Sequence, residues 1–528
     1  MRDFQLPGRS TVHGAGGMAA SSHPLSSLVA IETLKDGGNA VDAAIAAAAL
    51  QAVVEPHSTG IGGDCFVLFC QEGSGDVIAL NGSGRAPAAA DVDWYHQNNL
   101  SRIELDSPHA VTVPGAVDAW ARLLCDFGTK SLANILEPAI HYAEHGYVVT
   151  PRNSIDWSHS VDKLRRDPTA ARIYLPNGRS PIAGEVIRQP ELAATLRILA
   201  TEGRDGFYKG YVALDIVNYL TELGGLHTVD DFSHHSSEYV SPITSSYRDH
   251  DIYQCPPNSQ GIAVLIMLGI LEGFDLNKYE PLSVERLHLE AEATRLAYWV
   301  CEQTLGDPDQ VEILADEIMS KGHIAELQDR VRLDRVAEGI PMVAPMHPET
   351  IYLTVVDSDR NAVSLINSVA YAFGSGRVSP STGVVLQNRG ASFVLDSNHP
   401  NCIASGKRPR HTLIPGLVCK DGRAELCVGV MGGQYQPVGQ VHVITNMLDF
   451  GMDVQEAIDL SRGFHFGGEY QLESGIADSV ARGLDSLGHR VTAAEMPLGS
   501  GQAIRIDWEN NALIGGSDFR KDGSAIGY

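Results

Sequence analysis

Pro-Glu-Thr-Ile-Tyr-Leu-Thr-Val-Val-Asp-Ser-Asp-Arg-Asn-Ala-Val-Ser-Leu-Ile-Asn-Ser, residues 348–368, holds two strand-like runs joined by a short polar turn at Asp357 to Asn361. The β-branched and aromatic residues of these runs fit a pleated, half-buried surface. In front lies Glu338 to Glu349, a loose segment punctuated by Pro341, Pro345 and Pro348. Thr350 stands where that segment meets the first run. On residue type alone it is a β-branched residue opening a strand.

Its position allows a second reading. A threonine hydroxyl is a poor nucleophile until a base takes its proton. An N-terminal threonine brings its own base, because its α-amine lies beside the hydroxyl and has an unperturbed pKa of roughly 8. The same hydroxyl can first attack the carbonyl of Glu349, giving an ester that water hydrolyses. The proline-rich stretch then supplies slack for the released end. The expectation is a chain that cuts itself at Glu349–Thr350 and uses Thr350 as a nucleophile.

Upstream, apolar spacing predicts a helix over Pro24 to Lys35, stopped by Gly37-Gly38, and a second over Ala40 to Val53. The second is apolar on nearly every face, as a helix buried against a sheet would be. Thr59-Gly60-Ile61-Gly62-Gly63-Asp64 precedes the apolar run Cys65 to Cys70, and Val77 to Leu80 completes a hairpin. A dinucleotide fingerprint places its glycines after a strand and before a helix. Here the order is helix, glycines, strand, so a tight backbone turn is expected and no cofactor. Helices follow at Pro114 to Leu124, Leu132 to Glu144, Glu191 to Thr201, Tyr211 to Leu223, Ile262 to Leu271 and Val284 to Thr304.

After Thr350 the texture changes to strands: Ile351 to Val356, Ala362 to Ile366, Gly383 to Leu386, Leu413 to Val418 and Leu426 to Val430. Helices near Gln440 to Phe450 and Val454 to Leu460 come next, with short elements at Val480 to Leu487 and Ala503 to Trp508. Helices, then antiparallel strands, then helices make an α+β layered protein.

Bulk properties narrow the function. With 39 basic against 65 acidic residues the formal charge is −26, which repels a polyanionic nucleic acid. The eight cysteines form no CxxC pair and no zinc-like spacing with histidine, so buried free thiols and no metal are expected. The amino-terminal stretch has no apolar core of a secretory signal, and no run of about 18 apolar residues occurs, so neither membrane insertion nor export is expected and a cytoplasmic location follows.

Several landmarks resemble those of the γ-glutamyltransferase family of self-cleaving N-terminal-nucleophile hydrolases. They are Gly17-Met18-Ala19 with Ser22-His23-Pro24, Gly37-Gly38-Asn39-Ala40-Val41-Asp42-Ala43-Ala44, Gly60-Ile61-Gly62-Gly63, Val113-Pro114-Gly115, Pro256 to Gly261, Thr350 to Asp357, Asn361-Ala362-Val363, Phe373-Gly374-Ser375-Gly376, Gly432-Gly433 and the tail Asp518 to Tyr528. The resemblance implies a four-layer αββα sandwich built from a large fragment, 1–349, and a small fragment, 350–528, that stay together as a heterodimer. Higher homo-oligomers are left open. It also implies Thr350 as nucleophile, main-chain donors at Gly432 and Gly433 for the oxyanion, and Ser368 as a second hydroxyl beside Thr350. An ordinary strand serine is the other reading of Ser368.

The substrate positions depart from the glutathione-cleaving pattern. Before Ala86-Pro87 the family's carboxylate-binding arginine position is Ser83, and the nearest arginine is Arg85. Where relatives hold an α-amino group with a glutamine and an aspartate, this chain has Arg389 and Ser392. A paired-serine motif after Arg-Pro becomes Arg408-Pro409-Arg410-His411-Thr412. A cation in place of an acid disfavours a ligand ammonium. Arg85, Arg389 and His411 instead suit a carboxylate with no amino group beside it, with Arg389 as a solvated loop residue the other reading. This pattern resembles the acylase-like and amidohydrolase-like branch, which includes oxamate amidohydrolase. The expectation is hydrolysis of a small anionic amide through a Thr350 acyl-enzyme. The alternatives are a γ-glutamyltransferase or glutathione hydrolase, and a non-catalytic binding protein that never matures.

Overall fold

A computed structural model of the protein describes residues 4–5, 8–340 and 350–528. Glu349 and the prolines at 341, 345 and 348 lie outside the described residues, so the expected cleavage bond is seen only from its Thr350 side.

Two seven-stranded antiparallel sheets form the centre. One runs Ser524–Gly527, Gly17–Ser21, Ile351–Asp357, Ala362–Ser368, Asp64–Cys70, Val77–Gly82, Glu238–Val240. The other runs Val12–Gly14, Ala512–Ser517, Ser500–Asp507, Arg423–Met431, Gly416–Lys420, His250–Gln254, Ile243–Tyr247. Both interleave strands from before and after Thr350. The sheets face each other through Ile351–Asp357 and Arg423–Met431. There a Cβ on Gly429 would come within 2.3 Å of the Tyr352 ring, so the two strands approach only because residue 429 has no side chain.

Helices cover both outer faces, completing the αββα order. Ala40–Val54 lies on Ile351–Asp357 and Ala362–Ser368, with all of its residues buried. Asn39 and Asp42 close its first turn as a capping box, which satisfies the helix's orphan donors. Tyr435–Leu448 covers Arg423–Met431 on the opposite side. Among the described residues, no helix is long and apolar enough to cross a membrane.

One expected strand is absent. Gly383 to Leu386 forms only an isolated bridge, Val378 to Val385. Its strand-like side chains serve a loop instead: Gly383 has φ +67°, and Val384 and Val385 lie so close to Gly62 that a Cβ there would meet the Val385 carbonyl oxygen at 2.1 Å. The glycine stretch is likewise a place of close backbone approach, since a Cβ on Gly63 would meet the Ser368 carbonyl oxygen at 2.1 Å.

Candidate active site

The hairpin of residues 351–368 places the candidate nucleophile. Ile351 pairs with Asn367, so Thr350, one residue earlier, falls opposite Ser368. The Thr350 hydroxyl donates to Ser368 Oγ at 3.2 Å, and Ser368 Oγ also accepts the Ala370 N–H at 2.8 Å. Both residues are buried, Thr350 to within 1 %. Gly63, packed against the Ser368 main chain, fixes the strand end from behind.

Arg389 closes on this pair. It opens the short turn Arg389–Ser392 and is 1 % exposed. Nη2 lies 3.5 Å from Ser368 Oγ, and Nη1 donates to Thr412 Oγ1 at 2.8 Å. A guanidinium has five N–H donors, so this one has donors left over, and Nε is buried without an acceptor. Among the described residues no carboxylate lies in ion-pair contact with it. Burial pulls its pKa down to about 10, with the charge of nearby Asp64 acting the other way, so it stays cationic at neutral pH.

Asp64 is the residue that sequence reasoning missed. It is fully buried and accepts from Gly84 N–H at 2.9 Å, Gly115 N–H at 3.2 Å, the Gln387 amide at 2.8 Å and His411 Nε2 at 2.9 Å. The available signal was an acid set directly between the glycine pair and a wholly apolar strand, where burial needs partners.

His411 is therefore not a cation offered to a ligand, which corrects the expectation from sequence. Its Nδ1 accepts the Leu413 N–H at 3.2 Å, so Nε2 carries the proton and gives it to Asp64. Burial and then the Arg389 charge hold its pKa down at about 4, so it is neutral at pH 7.

Gly432 and Gly433 link the end of Arg423–Met431 to the helix Tyr435–Leu448 with φ of +113° and +58°. Their carbonyls accept Tyr435 and Gln436 N–H at 2.9 and 3.2 Å. Neither of their own N–H groups donates to an acceptor among the described residues. The Gln260 amide joins this loop to the rest by reaching the Thr412 carbonyl at 3.3 Å and the Gly433 carbonyl at 3.2 Å. A continuous hydrogen-bonded run thus connects Thr350, Ser368, Arg389, Thr412, Gln260 and Gly433.

Two expected residues stand outside that run. Arg85 is held by Asp309 at 2.8 Å, Glu238 at 3.3 Å and Asp307 at 3.5 Å, so its charge is already matched. Ser392 turns its hydroxyl to the Arg410 carbonyl at 3.1 Å and gives its own carbonyl to Asn401, bracing the loop.

The antiparallel αββα sandwich is the fold of N-terminal-nucleophile hydrolases. Within that class the chain belongs to the gamma-glutamyltranspeptidase family, whose model matches residues 26–528. It is 38% identical to the glutathione hydrolase-like YwrD proenzyme of Bacillus subtilis, over 98% of this chain and 99% of that protein. It is 34% identical to the oxamate amidohydrolase proenzyme of Klebsiella pneumoniae subsp. pneumoniae, over 97% of this chain and 98% of that protein. Among solved structures, the cephalosporin acylase from Bacillus halodurans superposes with a TM-score of 0.93 at 35% identity, covering 100% of this chain and 99% of that one.

Proposed function

We propose that the chain is a self-processing amide hydrolase that cuts itself before Thr350 and then cleaves a small anionic amide through a Thr350 acyl-enzyme. The observation that carries this reading is the hydrogen-bonded contact of Thr350 with Ser368 and of Ser368 with Arg389, a buried cation touched by no carboxylate among the described residues. Asp64 balances this charge without touching it, and a ligand carboxylate with two oxygens can take the unused donors. Names of relatives, oxamate amidohydrolase and several proenzymes, support the same direction.

The same reading assigns the chemistry. The Thr350 hydroxyl passes its proton to the freed α-amine as Oγ1 attacks the amide carbon. In this reading the Gly432 and Gly433 N–H groups serve as donors to the developing oxyanion. The amine returns the proton to the departing nitrogen, and water then hydrolyses the ester. Water needs no acceptor pocket, so hydrolysis is preferred to transfer. Fragments 1–349 and 350–528 stay together because each sheet pairs strands of both fragments.

Denaturing electrophoresis and turnover test the reading together. Purified protein should give two bands, and Thr350→Ala should remain full length and inactive. A single uncut band after long incubation favours a non-catalytic binding protein. Cleavage persisting in Thr350→Ala shows that another residue does the cutting. The mature protein should turn over oxamate faster than a γ-glutamyl anilide; the reverse order removes the anionic-amide assignment and favours a γ-glutamyl substrate.

A further inference from the structure

Arg389 sits where it acts on the base as well as on the ligand. Its guanidinium reaches Ser368 Oγ, which in turn holds the Thr350 hydroxyl. The amine of a freed Thr350 is on the same residue as that hydroxyl, so only the Ser368 hydroxyl stands between its residue and a cation, and all three residues are buried. Among the described residues, Arg389 has charged and titratable groups around it. Behind Arg389 stands Asp64, with His411 hydrogen-bonded to it and the Tyr371 phenol alongside Arg389. The neighbours from the paired strand, Asn367 and Ser368, are neutral.

The charge balance of this enclosure changes when an anion enters. Empty, it holds Asp64 and Arg389, which cancel, so protonating the amine creates a net positive charge beside a cation. That protonated form is disfavoured. With a carboxylate on Arg389 the enclosure becomes net negative, and a protonated amine restores neutrality. The proton the amine then takes is the one that leaves Thr350 Oγ1 as the Oγ1–C bond forms. It is passed on to the departing nitrogen as the C–N bond breaks.

We propose that Arg389 couples the charge of the substrate to the basicity of the Thr350 amine, so that binding a carboxylate raises the amine's proton affinity when the hydroxyl must give up its proton. The coupling rests on the amidase reading. It makes the substrate class an amide whose acyl part bears a carboxylate close enough to engage Arg389. A neutral amide of the same shape binds without switching the base.

Proton linkage tests it without relying on turnover. The mature two-fragment protein is titrated with oxalate, and with oxamide as a neutral control, in buffers of different ionisation enthalpy across about pH 6 to 9, around the ordinary amine range. Oxalate should draw in roughly half a proton per site at its maximum, as expected for a shift of about one pH unit. Oxamide should draw in none. Arg389→Lys, which keeps the charge, should retain the oxalate uptake, and Arg389→Gln should lose it. With oxamate as substrate, the acid limb of kcat should lie about one pH unit above that of kcat/KM.

No oxalate binding, binding without uptake, equal uptake with oxamide, or uptake that grows toward pH 5, where His411 rather than the amine would be titrating, each overturns the coupling. If the protein is cut at residue 350 and its turnover requires Thr350, the amidase reading survives any of those results. If it is never cut, that reading fails and the coupling goes with it, because no amine is freed.

Discussion

Arg85 and Arg389 carry the same side chain into opposite surroundings. The Arg85 side chain is 28% exposed and meets Glu238, Asp307 and Asp309, sharing Glu238 and Asp309 with the Arg408 side chain. Arg389 is 1% exposed, with two hydroxyls for partners and donors unused. A charge in direct contact with three carboxylates has little left to offer a ligand, whereas a buried one balanced only at a distance by Asp64 keeps donors for it. Function is therefore assigned by what an arginine lacks, which its place in the sequence does not reveal.

Arg389→Gln is the sharpest way to break the comparison. With oxamate as substrate, kcat/KM should fall by about a thousandfold, the scale of truncating one partner of a buried charge pair. Arg85→Gln should stay within about threefold, as for an exposed pair. Equal losses in steady-state assays of the two mature variants would mean that Arg85 also reaches the substrate.

The counter-charges should differ in the same sense. Asp64 accepts four hydrogen bonds, and Asp64→Asn turns an NH2 group toward at least one donor while leaving Arg389 uncompensated. The expected cost is about 3 kcal/mol, read from the shift in chemical unfolding at pH 7. A shift below about 1 kcal/mol would show that Asp64 and Arg389 do not depend on each other.

His411 adds a pH dependence reaching toward neutral pH, whereas the shifted carboxylates of the Arg85 cluster, Glu238 and Asp309, act only in stronger acid. Its folded pKa is about 4, against 6.5 for the free side chain, chiefly through burial and next through Arg389. Between those values the unfolded chain holds a proton that the folded chain does not, so stability rises with pH in that window. The contribution is complete above the unfolded value and is lost as pH falls toward the folded one. His411→Gln should flatten the acid side of the unfolding profile by up to about one proton. His227 and His235, each also held near 4 by burial, keep the slope from vanishing.

The contrast also explains what was legible. Apolar periodicity placed Pro24–Lys35 and Val284–Thr304 to the residue, because a helix face writes its own spacing. The hairpin of residues 351–368 was equally clear. Gly17–Ser21 was not read as a strand: Gly-Met-Ala-Ala-Ser has little β preference and is extended because Ile351–Asp357 and Ser524–Gly527 pair with it on either side. The absent strand at Gly383 to Leu386 is the opposite case, with strand-like residues drawn into a loop by the close approach to Gly62. At the site, residue types at Thr350, Ser368, Arg389 and the glycine pair were readable one at a time. The partnerships were not, because Asp64 and His411 are 347 positions apart in the chain.

The smallest effect is expected at Asp309. Its side chain is 51% exposed, and it meets Arg85 at 2.8 Å and Arg408 at 3.3 Å. Removing its charge by Asp309→Asn leaves Arg85 with Asp307, Glu238 and the Gly406 carbonyl, so no cation is stranded. Water also reaches the site and screens what remains. The loss should be under about 1 kcal/mol and should shrink further in molar salt, where the Debye length falls to about 3 Å. Asp64→Asn should keep most of its cost in the same salt, because buried charges are screened far less than exposed ones. If both losses respond to salt alike, solvent reaches the Arg389 enclosure, and the physical distinction between the two arginines fails.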